Sequence, residues 1–326
     1  MKVFGGIVFD SEIVLDYMME KSTYKAALLE SGILREDPLI AEQMSEQGNK
    51  FTAPSFVPLT GRSQNHDGVS DITPGSITSK QQSGVVVRRD NAWTSKDLEA
   101  ELASEDPQEA IGDYLGDYWV EEDETTLFLE LKGAFAAASA SALVDDISIA
   151  DGDAATDANK MNSTTMITAL FSTMGDAADK IVAVAVHTDI YASLVKQNLI
   201  TFVPLSDQTT MVPKFLDKFV FYSDNFPKVA GGTSGYVYTS YFFAKQSVGV
   251  APGKVKNPLE VEREALKNGG QDTLVSRTAK AFHPYGFSFT ADIATSPTDT
   301  QLETGTNWAL IYDKKNVGIM AMKTNG

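Results

Sequence analysis

The chain has no cysteine and only three histidines among its 326 residues. The first absence excludes disulfides, thiolate-bound metals and cysteine nucleophiles together, and it suits a chain indifferent to its redox surroundings. The second leaves little material for proton-transfer chemistry. No stretch approaches the roughly 20 apolar residues that a membrane-spanning helix requires. The opening MKVFGGIVFDSEIVLDYMMEK lacks both a basic region and a cleavage site, so a soluble, unexported protein is expected. Basic residues are scarce as well: 27 Lys and Arg face 44 Asp and Glu, for a net charge of −17.

That charge is unevenly spread. Residues 97–160 hold eighteen acidic side chains against Lys132 and Lys160, whereas residues 50–96 hold six basic ones (Lys50, Arg62, Lys80, Arg88, Arg89, Lys96) against Asp67, Asp71 and Asp90. A solvated acidic helix face beside an ordinary loop accounts for this pattern. So does complementary contact between neighbouring copies of the chain. With 43% hydrophobic residues and room for two domains of usual size, the chain can build substantial cores.

The acidic window is dominated by one stretch, 106–139, which reads as a single helix. Asp106 is placed as its N-cap, Pro107 as its first residue and Glu109 as the third member of a capping box. Apolar residues recur at Ile111, Leu115, Trp119, Leu127, Phe128, Leu131 and Phe135, giving one buried stripe, with Tyr114 and Tyr118 expected to pack beside Trp119. A helix of that length spans about 50 Å, more than an ordinary compact domain needs, and is expected to act as a spine.

The remaining chain supplies both helices and strands. A first amphipathic segment covers 10–31, and a short helix starts at Asp37-Pro38. Residues 50–93 read as a long two-stranded excursion, KFTAPSFVPL out and GVVVRRDNAW back, with a tip near 65–74. An isolated hairpin is marginal in water, so this one needs a surface to lie on, either its own chain or another copy. Beyond the spine the order is an acidic loop, a helix at 163–174, a buried strand at 180–187, a helix at 188–197 and a strand ending near Asn225. A strand through 236–251, a helix at 257–268, and strands at 271–283 and 307–322 complete the chain.

Motifs for chemistry fail one after another. Asp151, Asp153 and Asp157 loosely imitate a calcium loop, but Thr156 stands at its glycine position and Asn162 at its glutamate position. GVAPGKV, at 249–255, is one residue short of a phosphate-binding loop and ends in Val255 where a hydroxyl is required; GTSGY around Ser234 lacks the second glycine of a nucleophile elbow. His187 is expected to make a polar contact at a helix start, and nothing pairs His66 with His283. No catalytic, cofactor or metal residue is assigned.

Several segments carry a resemblance: DPQEAIGDYLGDYW, DISIADGDAATDAN, KIVAVAVHTDIYASLVKQNLI, HPYGFSF and NWALIYDKKNVGIMAMKTNG, in collinear order. With them the chain resembles the major capsid proteins of tailed bacteriophages, which have the Hong Kong 97 type fold. The resemblance implies an α+β chain with an N-terminal arm (1–49), an extended loop (50–95) and a peripheral domain on the spine helix (96–159). An α/β axial domain (160–270) and returning strands (271–326) follow. It implies self-assembly of pentamers and hexamers into a virion capsid around double-stranded DNA, with a separate scaffolding protein, a portal, and no membrane or cofactor. The loop would lie on a neighbouring copy, making Lys80, Arg88 and Arg89 the expected contacts for Asp113, Asp117, Glu121 and Glu124. An encapsulin shell is the alternative within this fold, and a soluble α/β enzyme, a hydrolase or a binding enzyme, the alternative outside it.

Overall fold

The structure, a computed structural model, describes residues 2–4, 7–9, 32–45, 48–56, 63–66, 71, 79–96, 107–204 and 211–326. Strands β1 (Lys2–Phe4) and β2 (Ile7–Phe9) pair antiparallel. The amphipathic segment expected at 10–31 and most of the predicted hairpin tip lie outside the described residues. β3 (Leu34–Glu36) leads into α1 (Pro38–Ser45), where Asp37 accepts from the Leu39 N–H at 3.0 Å, so the Asp-Pro start signal works as read.

The hairpin exists, but its return arm is divided. β4 (Lys50–Phe56) pairs antiparallel with β5 (Ser79–Val85), while β6 (Val87–Lys96) leaves that ladder after Val86 and joins another sheet. Pro54 is tolerated because a two-stranded ribbon consists of edges. The spine helix α2 runs Pro107–Ala136, and the chain turns through a short 3-10 segment into β7 (Val144–Asp146). α3 (Ser163–Met174) is capped by Asn162, which accepts from the N–H groups of Thr164 and Thr165. β8 (Ile181–His187) is almost wholly buried, as its apolar run predicts, and passes directly into α4 (Thr188–Lys196).

Then come β9 (Ile200–Pro204), β10 (Met211–Phe215), β11 (Lys218–Ser223) and β12 (Lys228–Ala230). The single strand predicted for 236–251 is two, β13 (Tyr236–Ala244) and β14 (Val248–Pro252). Between them Gln246 takes φ 56°, a left-handed turn that redirects the chain into a different sheet. The helix predicted at 257–268 is instead β15 (Leu259–Glu264): Leu259 and Val261 are buried while Glu262 faces out, and this alternation outweighs the Asn-Pro helix-start signal. β16 (Gln271–Pro284) matches its prediction; β17 (Phe287–Phe289) and α5 (Asp299–Glu303) were not anticipated. The strand predicted for 307–322 breaks into β18 (Trp308–Leu310) and β19 (Ile319–Thr324) around a turn in which Asp313 accepts from the Lys315 N–H.

Two large sheets result. The eight-stranded one has the order β7-β19-β13-β8-β11-β10-β9, with β12 on β13, and α3 and α4 beside it. In the five-stranded one β16 is central, flanked by β6 along one side and by β15 and then β14 along the other, with β3 beyond β14.

α2 connects them. Leu115 and Trp119 pack with Leu259, Val261 and Leu274 of the five-stranded sheet, and Trp119 Nε1 donates to Ser276 Oγ at 3.0 Å. Further along, Leu127, Phe128, Leu131, Ala134 and Phe135 enter the main core with Tyr241, Phe226 and Phe287. Each such side chain, fully buried, contributes about 1.5–3 kcal/mol. The helix therefore has more than the single stripe read from its sequence: Thr126, Glu130 and Gly133 are buried too, and Gly133 meets the segment that carries α5. Tyr114, expected in the core, is 74% exposed.

Gly133 marks the closest approach. A Cβ there would lie 1.9 Å from the carbonyl oxygen of Leu302, which already accepts from Trp308 Nε1 at 2.7 Å. Gly133→Ala should therefore destabilise the subunit by about 2 kcal/mol in urea melts, the overlap outweighing the better helix propensity of alanine. An unchanged midpoint would show that this seam is slack.

Candidate functional site: the loop base and the spine helix

The base of the hairpin is fastened to its own chain through a buried polar knot. Gln82 Oε1 accepts from the Gly286 N–H at 2.9 Å, which fixes the amide orientation, and lies 3.0 Å from His283 Nε2. An oxygen at that position requires Nε2 to carry the proton, leaving Nδ1 a bare lone pair, and Nδ1 has no hydrogen-bond partner. Gln82 Nε2 donates to the Tyr312 hydroxyl. Phe51 presents its edge to the His283 ring at 5.3 Å, and Tyr285, stacked edge-on at 5.8 Å, donates to Asp37 at 2.6 Å. Strands β4, β5, β16 and the start of α1 thus meet at one imidazole. Burial pushes His283 down to about 4, against the opposing field of Asp37.

Around this knot lie the basic side chains singled out from the sequence. Lys80 Nζ donates to the Ile311 carbonyl at 2.6 Å, and the Ser83 N–H donates to Ser288 Oγ at 2.9 Å. Arg88 is exposed and donates to Asn49 Oδ1 at 2.6 Å and to the Gly48 carbonyl at 3.1 Å. Arg89 is engaged more deeply within its own chain: it pairs with Asp299 at 2.6 Å and donates to the Pro297 carbonyl at 2.9 Å. Sequence reasoning could not anticipate Asp299 as its partner, because the two are 210 positions apart.

The acidic helix is less uniform than its sequence suggests. Glu121 is exposed, and Asp117 is half-buried. Asp113 lies on the helix, with its side chain outside the described ones. Glu124 is held above its ordinary range, first by desolvation and then by Glu121. Asp123 forms an ion pair with Lys280 of β16, yet burial still raises it. Glu130 is fully buried, and neither carboxylate oxygen has a hydrogen-bond partner; desolvation raises it well above the usual range, with Arg89 acting in the opposite sense. Lys132 pairs with Glu303 of α5 at 2.6 Å. Sequence reasoning missed Glu130 and His283 because burial, not residue type, makes them unusual.

Other sequence signals resolve simply. His187 Nδ1 accepts from the Asp189 N–H at 3.0 Å, the helix-start contact expected. Asp151 accepts from Ser234 Oγ, and no cluster of three or more potential metal ligands occurs among the described residues.

Among the described residues, nothing assembles a nucleophile, base and oxyanion seat. The arrangement instead roots the base of a hairpin and a long helix in two sheets. Solved structures with a similar fold include phage capsids. The capsid of Ralstonia phage GP4 matches with a TM-score of 0.55 at 12% identity, covering 91% of this chain and 88% of that one. The mature capsid of bacteriophage PhiM1 matches at 0.51 and 10% identity, covering 99% and 91%. The fold is that of phage capsid proteins.

The family model described as Gp13-like, major capsid protein 13-like, matches residues 39–320. The major capsid protein of Bacillus phage SPP1 is 33% identical over 317 residues, 96% of this chain and 95% of that protein. The chain belongs to the Gp13-like major capsid protein family: it is a structural protein of the virion capsid, not an enzyme. An encapsulin becomes the weaker alternative. Among the described residues no helix is long and apolar enough to cross a membrane.

The knot at His283 makes a pH dependence measurable. Its folded-state pKa lies below the ordinary imidazole value of about 6.5, so the neutral ring is favoured in the fold. Its contribution is complete above about pH 6.5 and declines as pH falls toward about 4, by about 3 kcal/mol in total. Urea melts between pH 7 and 5 should show this loss in the wild type and not in His283→Gln. Parallel profiles would mean that the ring is solvated.

Proposed function

We propose that the subunit builds an icosahedral shell of the Hong Kong 97 type, from pentamers and hexamers, around double-stranded DNA, with a separate scaffolding protein and a portal as assembly partners. The observation that carries this reading is the near full-length match to the major capsid protein of phage SPP1. The five-stranded sheet with α2 would form the peripheral domain, and the eight-stranded sheet the axial domain surrounding the five- and six-fold axes. Residues 1–49 would be the arm and 50–95 the extended loop. Because β14 and β15 hydrogen-bond to β16, residues 248–264 would group with the peripheral part and not with an axial domain reaching to 270.

The net charge of −17 supports the role of a container wall, since a strongly basic lining would bind the phosphate backbone as it entered. Between copies, Lys80 and Arg88 would carry the positive side of the contact and Asp113, Asp117, Glu121 and Glu124 the negative side. Arg89 would act chiefly within its own subunit, through Asp299. Exposed ion pairs contribute about 0.2–1 kcal/mol each, so specificity comes from repetition over a closed lattice, not from strength at one contact.

The test is negative-stain electron microscopy with sedimentation over a range of salt and protein concentration. Closed shells, or sheets and tubes of hexamers, are expected. Lys80→Glu combined with Arg88→Glu should abolish them while leaving the subunit folded, with a loss of about 1–3 kcal/mol from the hydrogen bonds these side chains make to Ile311, Asn49 and Gly48. Glu121→Arg should partly restore assembly to that double variant. Normal shells from the double variant would remove the loop-to-spine contact from the proposal.

A further inference from the structure

The sequence contains two Asn-Gly steps, Asn268-Gly269 and Asn325-Gly326, and the fold treats them in opposite ways. In such a step the amide nitrogen that follows the asparagine can approach its side-chain carbonyl carbon closely, because glycine places no Cβ beside that nitrogen. Asn325 is buried and held on every side. Its Oδ1 accepts from the Ile149 N–H at 2.7 Å, and its Nδ2 donates to the carbonyls of Ile149 and Tyr236 at 3.0 and 3.1 Å. Its own N–H donates to the Asn159 carbonyl at 2.9 Å, and the Gly326 carbonyl accepts from the Met161 N–H at 2.8 Å.

Asn268 stands in contrasting surroundings, at the tip of the hairpin that joins β15 to β16. Asn268 (φ 52°) and Gly269 (φ 79°) are the central residues of a turn closed by the Gly270 N–H on the Lys267 carbonyl at 2.9 Å, the positive-φ pair of a type I′ hairpin turn. Both residues are exposed, and nothing lies within 4 Å of where a Cβ on Gly269 would be. Asn268 Nδ2 donates to Gln271 Oε1 at 2.7 Å, which leaves the side-chain carbonyl facing solvent-accessible backbone. No backbone carbonyl among the described residues accepts from the Gly269 N–H. The peptide plane between the two residues can therefore rotate, bringing this nitrogen to Asn268 Cγ, without opening any part of the core.

We propose that Asn268-Gly269 is a self-modification site, at which the Gly269 amide nitrogen attacks Asn268 Cγ to form a succinimide ring that water then opens. In the first step the N–Cγ bond forms and the Cγ–Nδ2 bond breaks; the Gly269 N–H proton passes to solvent, and Nδ2 takes one up and leaves as ammonia. In the second, water adding at Cγ breaks the new bond and yields aspartate. Water adding at the main-chain carbonyl carbon breaks the original peptide bond and yields isoaspartate, with the chain routed through the former side chain. Water is the only co-reactant, and the exposed tip admits it. The product places a carboxylate where Nδ2 donated, against Gln271 Oε1 and near Glu264, which already takes Lys267 at 3.0 Å and lies 3.5 Å from Gln271 Nε2. Isoaspartate also lengthens the main chain of the turn by one methylene, which loads the last pair of the ladder, Glu264 with Gln271. The hairpin tip, which carries the fully exposed Leu266, thus changes in charge and shape as the subunit ages, whether or not it assembles.

The experiment incubates the purified full-length subunit in neutral buffer and follows both Asn-Gly steps by peptide mapping with mass spectrometry, with isoaspartate read by methyltransferase labelling. Asn268 should convert to a mixture of aspartate and isoaspartate. Asn325 should convert about a hundredfold more slowly, because three side-chain hydrogen bonds must break before it can react. In urea the two rates should converge, since the protection of Asn325 belongs to the fold. Gly269→Ala should slow conversion at Asn268 by about tenfold, through hindrance at the attacking nitrogen. Asn268→Gln, which keeps an amide at the tip, should abolish the release of ammonia from this site. Equal rates at the two steps in the folded subunit would overturn the proposal, as would an Asn268 that converts in urea and stays intact in the fold. Conversion to aspartate alone, at a rate unaffected by Gly269→Ala, would also overturn it, by replacing ring closure with direct hydrolysis.

Discussion

The structure depends on the burial of one helix from more than one side. α2 carries Leu115 and Trp119 into the five-stranded sheet and Leu127, Phe128, Leu131 and Phe135 into the main core, so neither sheet can shift without opening a seam along this helix. Close packing makes such a seam expensive to deform and prone to move in discrete steps. The acidic residues left on the helix are consequently of two kinds. Glu121 remains in water, while Asp123 and Glu130 are enclosed, one against Lys280 and the other without a hydrogen-bond partner.

Local signals in the sequence were reliable where local physics decides the outcome. The cap-and-proline start at Asp37-Pro38, the apolar run of β8 and the hairpin ladder of β4 and β5 all appear as read. They failed where a neighbour distant in sequence decides. Asn257-Pro258 looks like a helix start, but β16 offers an open edge to residues 259–264, and the ladder is worth more than a cap. The run from 236 to 251 is uniformly strand-like, and nothing in its composition reveals that Gln246 turns it from one sheet into the other. α2 itself was read correctly as a spine and incorrectly as one-sided, because periodicity reports a stripe but not how many bodies press on the helix.

The site was legible to a similar depth. Charge separation between residues 50–96 and 97–160 drew attention to the loop and the spine, and Lys80, Arg88 and Arg89 lie at the base of that loop, bonded within their own chain. It could not reveal that Arg89 would be claimed by Asp299, or that His283 and Gln82 would bind the loop base to β16. Those pairs join residues about 200 positions apart, and no pattern in a single sequence encodes such a distance.

The placement of strain follows a physical logic. Among the described residues, the buried titratable groups with a polar atom left unpartnered, His283 and Glu130, lie where the loop base meets β16 and on the spine helix. Departures from full polar satisfaction in an otherwise consistent fold are expected at functional positions. A subunit bonded without flaw along these junctions would be more stable alone and less able to adjust when neighbours arrive. His283 is a cost carried at the root of the loop and Glu130 one carried on the spine helix, while the apolar seams along α2 hold the two sheets together.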